Sequence, residues 1–159
     1  MAVTILLQSS TLKENKMTKQ SLIEKLNSDL KNEYTHMHFY LQSSFLIEGL
    51  HREEIGEWLA KQAASEFQHI QQFAKMIVGL GGIPETKHHV FPLLTEPYTI
   101  MQYAQKLESE VITNYVQRMV ECDSIVEKND AKYVELFLED QLLDSRADLD
   151  EINQMLKLR

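Results

Sequence analysis

The sequence predicts an all-α chain, a four-helix bundle in up-down-down-up order with one long crossover between helices 2 and 3. Three features predict it. Residues 1–48 and 98–159 contain neither glycine nor proline, which leaves few places for the tight turns that strands need. Apolar residues recur by alternate fours and threes through four long stretches, the spacing of one helix face. The first and last connections are short, which makes their helices antiparallel neighbours, whereas the middle connection is long enough to travel the bundle.

Residues 1–17 read as a flexible N-terminal extension to a bundle domain of residues 18–159. Their apolar run, Val3 to Leu7, is too short for a signal-peptide core or a membrane span. Helix 1 is expected from Thr18 to Glu48, with a seam of Ile23, Leu26, Leu30, Glu33, Met37 and Tyr40. Helix 2 follows from Arg52 to Gly79; its seam of Ile55, Leu59, Phe73 and Ile77 carries Gln62, Glu66 and His69 or Ile70 in the middle. The connection Leu80 to Glu96, with two glycines and two prolines, reaches about 55 Å when extended. A helix of about 30 residues is about 45 Å long, so helix 3 can start parallel to helix 2; a floppy loop in an ordinary up-down bundle is the alternative. Helix 3 is expected from Pro97 to Glu127, through Ile100, Ala104, Leu107, Val111 and Tyr115, with Glu110 on the edge of the stripe. An Asn129-Asp130 corner leads to helix 4, Asp130 to Lys157, with Val134, Leu138, Gln141, Ser145, Asp148, Ile152 and Met155 on its seam.

Composition narrows the function classes. A chain of 159 residues with 43% hydrophobic and 25% charged residues is an ordinary one-domain globular protein. A net charge of -8 with no block of Lys or Arg argues against a nucleic-acid surface and suits small cations. The one cysteine, Cys122, excludes an intrachain disulfide and a Cys-rich metal site; with no export signal in view, a reducing cytoplasmic setting is expected.

The polar residues on the four seams lie near the helix midpoints, and midpoints coincide in a bundle whichever way each helix runs. Glu33, Glu66, Glu110 and Asp148 would then meet His69 in a low-dielectric core. Mutual repulsion forbids their full ionisation unless cations sit between them. Carboxylate oxygens and an imidazole nitrogen suit iron, manganese or zinc, and bridging carboxylates favour a pair of ions.

With Glu33, a Glu66-x-x-His69 motif, Asn32-Glu33-Tyr34, Tyr40, Gly82-Ile83-Pro84, Glu110-Val111-Ile112-Thr113 opening onto Tyr115 and the long crossover, residues 18 to 157 resemble the ferritin-like superfamily, most of all bacterioferritins and small non-haem di-iron ferritins. The resemblance implies oxidation of ferrous iron by O2 or peroxide, for iron storage or detoxification, in a cytoplasmic homo-oligomer. It implies that Glu33 binds one iron, Glu66 bridges, His69 completes the first iron and Glu110 serves the second. The second Glu-x-x-His expected on helix 4 is replaced by Ser145 and Asp148. Serine is a poor ligand, while Asp148 offers an oxygen in place of the imidazole. His36, three residues after Glu33, offers a partial compensation but reads first as a surface or interface group. No haem is expected, because Phe67 follows Glu66 where a bacterioferritin-like axial Met would stand.

Two functions compete on this reading. The first is a ferroxidase centre with catalytic and metal-binding Glu33, Glu66, His69 and Glu110, joined by Asp148 as a metal ligand. The second is a degenerate helical scaffold with an incomplete or non-redox site. An oxygenase acting on an organic substrate is disfavoured, because four helices leave little volume for a substrate cavity.

Overall fold

The computed structural model describes residues 17–157, and among them every regular element is a helix. The expected N-terminal extension lies outside the described residues, except Met17, which packs against the core. The helices are α1 (Lys19–Leu46), α2 (Arg52–Gly79), α3 (Pro97–Cys122) and α4 (Lys128–Lys157).

Each boundary has a local cause. Thr18, in extended conformation, accepts the Ser21 N–H through its hydroxyl and opens α1. Glu96 accepts from the backbone N–H groups of Tyr98 and Thr99, and Pro97 occupies the first turn of α3, where no intrahelical donor is lost. At the end of α2 the Gly81 N–H bonds the Val78 carbonyl and the Gly82 N–H bonds the Ile77 carbonyl, at 2.9 and 2.8 Å. This is the paired C-terminal cap that needs a left-handed residue, supplied by Gly81 at φ +89°. Gly82 is required for a different reason: a Cβ there would meet the Ile23 Cγ2 at 2.5 Å.

The last corner differs from expectation. Helix α3 stops at Cys122, and the next three N–H groups, of Asp123, Ser124 and Ile125, each bond the carbonyl three residues back. This tightened turn carries Ile125 into the core, where it is 1% exposed. Asn129 and Asp130 lie in the first turn of α4 rather than in a corner.

Helix directions follow from the pairs that touch. Lys25 meets Glu121 near the start of α1, and Tyr40 meets Glu108 near its end, so α1 and α3 run antiparallel. Gln62 meets Asp148, and Gln72 meets Gln141, so α2 and α4 also run antiparallel. Glu33 meets His69 and His36 meets Glu66, so α1 and α2 run antiparallel too, and α2 and α3 are therefore parallel, as the single long crossover predicts. The crossover is pinned along α1 by Asn27 with Ile83 and Glu85, by Thr35 with His89, and by Glu48 with Thr95. Residues 83–95 reach about 40 Å when extended, enough for the roughly 32 Å between Asn27 and Glu48 on the helix.

The core falls into two apolar clusters. One gathers Leu22, Leu26, Leu30, Phe73, Ile77, Val134 and Leu138; the other gathers Phe39, Leu59, Ile100, Ala104 and Ile152. Cys122 lies in the first, fully buried, where burial pushes its thiol up to about 11. The two clusters are parted by a layer of buried polar groups.

Candidate metal centre

That layer contains Glu33, His36, Glu66, His69, Glu108, Gln141 and Ser145, each no more than 4% exposed. Helices α1, α2 and α3 each put a carboxylate into it because each carries a Glu in register with its apolar seam. Glu66 and His69, three residues apart, share one face of α2, and the His69 Nδ1 lies 3.0 Å from the Glu66 Oε2 and 3.4 Å from the Glu33 Oε2. The other ring nitrogen of His69, Nε2, faces the Asp144 carboxylate at 3.4 Å. A proton on Nε2 directed at Asp144 leaves the Nδ1 lone pair pointing at the two glutamates, the tautomer that a cation requires.

The tyrosines cross the bundle. Tyr115 of α3 donates to Glu33 of α1, and Tyr40 of α1 donates to the Glu108 Oε1 of α3 at 2.6 Å. Burial and the adjacent carboxylates hold both phenols well above their ordinary range, so both remain donors. His36, on the turn after Glu33, places its Nδ1 3.6 Å from the Glu66 Oε1 and 3.7 Å from the Glu108 Oε1.

Without a cation the layer compensates itself with protons. Burial, then repulsion from Glu66, raises Glu33 to about 7. Burial raises Glu108 to about 8, with His36 opposing the rise and Glu66 adding to it. Burial opposes charge on both imidazoles, yet their carboxylate neighbours win and raise His36 to about 9 and His69 to about 11. Glu66 is the exception among the glutamates. Burial penalises its charge too, but it sits between two imidazolium rings and is held well below the usual carboxylate range.

Among the expected site residues, Glu33, Glu66 and His69 come together, their donor atoms within 4.8 Å of one another. A second group of the same kind is His36, Glu66 and Glu108. Glu110 is not in either. Its side chain is 59% exposed and pairs at 3.8 Å with Lys106, one turn earlier on the outside of α3. The buried acid of α3 is Glu108, two residues earlier, because the seam steps Ala104, Glu108, Val111, Tyr115. A signal for it is present in the sequence: Glu33 and Tyr40 are seven residues apart, and so are Glu108 and Tyr115.

His36, read first as a surface or interface group, is 3% exposed and belongs to the layer. Asp148 stands beside the layer, half-buried, accepting from the Gln62 amide at 3.2 Å, and burial followed by Glu66 raises it to about 6. Ser145 is buried and offers no carboxylate. His51, His88 and His89 are exposed and His38 is half-buried.

A cavity of about 200 Å³ lies between α1, α3 and the crossover. His36 and Leu107 line it, together with Asn32, Thr35, His89 and the exposed Glu110, so it connects the layer with the surface. The donor set itself, carboxylate oxygens with imidazole nitrogens and no thiolate, fits iron, manganese or zinc.

A ferritin-like domain model matches residues 23–158. Among solved structures, a ferritin-like, di-iron-carboxylate protein from Bacillus anthracis str. Ames is 25% identical and superposes with a TM-score of 0.79, over 87% of this chain and 96% of that one. A Rhodobacter capsulatus bacterioferritin, described with a metal-free dinuclear site and haem iron, is 17% identical with a TM-score of 0.77, over 87% and 85% of the two chains. The Desulfovibrio desulfuricans bacterioferritin, described with a di-iron site, is 23% identical with a TM-score of 0.77, over 87% and 80%. These last two similarities show the fold. A search of curated protein sequences finds no match. With the domain match running over most of its length, the chain belongs to the ferritin-like family.

Proposed function

We propose that this protein binds ferrous iron at Glu33, Glu66 and His69 and promotes its oxidation by O2 or peroxide, for iron storage or detoxification. The observation that carries the reading is the convergence of these three buried donors, from two helices, within 4.8 Å. Oxygen donors stabilise the ferric product, and each ferrous ion gives up one electron to the oxidant. The chain's own residues prepare for this. Asp144 orients the His69 ring, Tyr115 fixes one oxygen of Glu33 while the other faces His69, and the apolar clusters above and below exclude water. Exposed Phe45, Leu50, Val90 and Leu93, 65% to 101% accessible, support a homo-oligomer. Among the described residues no helix is long and apolar enough to cross a membrane. The single cysteine, Cys122, is in keeping with a reducing, cytoplasmic setting for this reading.

Ser145 favours a second reading, a scaffold whose remaining donors hold a cation without redox turnover. Anaerobic titration of the metal-free protein with ferrous iron, followed by admission of air, separates the two. The first reading expects ferric absorbance to grow well above the buffer rate and to vanish in Glu66→Ala. Bound iron that oxidises no faster than in buffer leaves the scaffold.

A further inference from the structure

The helix-4 imidazole that would complete a second ion is absent, yet the layer contains a second histidine. We propose that His36, Glu66 and Glu108 form a second cation site, its imidazole supplied by α1 instead of α4, for a divalent ion of the iron, manganese or zinc class. The site deepens the proposed function but stands or falls on binding alone.

Three observations carry it. The Glu66 carboxylate has one oxygen turned to each histidine: Oε2 to His69 at 3.0 Å and Oε1 to His36 at 3.6 Å. That is the disposition of a carboxylate bridging two ions. Next, the His36 Nδ1 stands 3.6 and 3.7 Å from its carboxylate neighbours, longer than an ordinary N–H···O hydrogen bond. Donors sharing one ion at about 2.1 Å in tetrahedral array are themselves about 3.4 Å apart. The spacing therefore suits an ion between them better than a shared proton. Finally, the Glu108 Oε2 is buried with no hydrogen-bond partner, on a residue that is 0% exposed. A carboxylate oxygen stranded in this way is costly, and a cation relieves it.

His36 also lines the cavity under the crossover, whose mouth carries Glu110 and His89. A cation arriving between α1 and α3 meets the exposed Glu110 carboxylate first and the His36 ring at depth. Glu110 thus has a place on the route, although not in the layer.

The test is binding of Co2+ to the chelator-stripped protein, counted by equilibrium dialysis and followed by visible absorption. Wild type should take two ions per chain. His36→Gln, which keeps a polar side chain of similar size, and Glu108→Gln should each take one, with affinity for the second reduced at least roughly tenfold, while far-UV circular dichroism stays helical. Asp148→Asn should retain two. Two ions in folded His36→Gln, a single ion in wild type, or loss of the second ion in Asp148→Asn would each overturn the proposal. Ferrous oxidation is read separately: two Co2+ bound by a protein that oxidises no iron keeps this site and removes the proposed activity.

Discussion

Exchanging Glu108 for Gln should separate the folding cost of this layer from its cation binding, and Glu110→Gln is the matched control two residues away. In metal-free protein the Glu108 carboxyl is raised from an ordinary 4.5 to about 8 by burial and by Glu66. A carboxyl with a raised folded-state pKa contributes no loss below pH 4.5, where folded and unfolded chains both keep the proton. Stability then falls as pH rises from 4.5 to about 8, where the unfolded chain is ionised and the folded one still keeps its proton, and the loss is complete above that. At about 1.36 kcal/mol per pKa unit, the full loss is on the order of 5 kcal/mol. An amide has the same shape, can still accept from Tyr40, and does not ionise. Urea denaturation in chelator should therefore find Glu108→Gln gaining on wild type by a few kcal/mol between pH 5 and pH 9. Glu110→Gln should stay within about 0.5 kcal/mol throughout, as expected for an exposed, weakly paired carboxylate. Adding divalent cation at about one hundred times its dissociation constant stabilises a folded protein by about 2.7 kcal/mol per site, and Glu108→Gln should lose one such increment. A pH-independent difference in chelator, or a larger effect at Glu110 than at Glu108, would refute the assignment of the buried acid.

Asp29→Ala leaves Glu121 as the remaining partner of Arg118, which is 8% exposed and donates two hydrogen bonds of 2.8 and 3.1 Å to the Asp29 carboxylate; a loss of about 3 kcal/mol is expected by denaturant titration. Gly82→Ala should cost about 1 to 3 kcal/mol and lower the melting temperature, because its methyl would drive into the Ile23 side chain. Tyr115→Phe removes the donor to Glu33 and should destabilise the metal-free protein by about 1 to 3 kcal/mol, measured the same way.

The fold was legible because helices of this length write their burial into a four-three repeat, and a bundle needs little else. The Leu80 to Glu96 connection also carried its topology in plain arithmetic, since its reach exceeds a helix length. The end of α3 was less legible. Val120, Glu121 and Cys122 continue without a breaker into Asp123 and Ser124, and what stops the helix is the pull of the core on Ile125, a tertiary effect. The burial and convergence of Glu33, Glu66 and His69 were legible because each interrupts an apolar seam. Glu110 was misplaced because it lies beside Val111, and proximity to a seam residue is not membership of the seam. A rotation of about 200° separates Glu108 from Glu110 on a helix, so a two-residue shift exchanges core for solvent. His36 was hidden for a different reason. A histidine one turn past Glu33 is compatible with several helix faces, and only the approach of α3 buries it.

The layer has an approximate two-fold arrangement that explains how it tolerates Ser145. Glu33 with Tyr115 is mirrored by Glu108 with Tyr40, while α2 meets α4 through His69 with Asp144 and Gln62 with Asp148, and Ser145 lies buried between these two α4 residues in sequence. A glutamate at 145 would have added a further buried carboxylate to a core where Glu33 and Glu108 are already pushed up to about 7 and 8. Serine removes that repulsion, and His36 adds an imidazolium between Glu66 and Glu108. Both changes act in one direction: they lower the negative charge that must be balanced when no cation is bound. The same His36 that balances charge in the metal-free protein becomes a neutral donor when it loses its proton. One residue thus serves the folded state in both conditions, protonated as a counter-ion and deprotonated as a ligand. A chain with this layer can fold before it meets metal and still retain, in Glu66 and its two flanking histidines, the geometry to hold two ions.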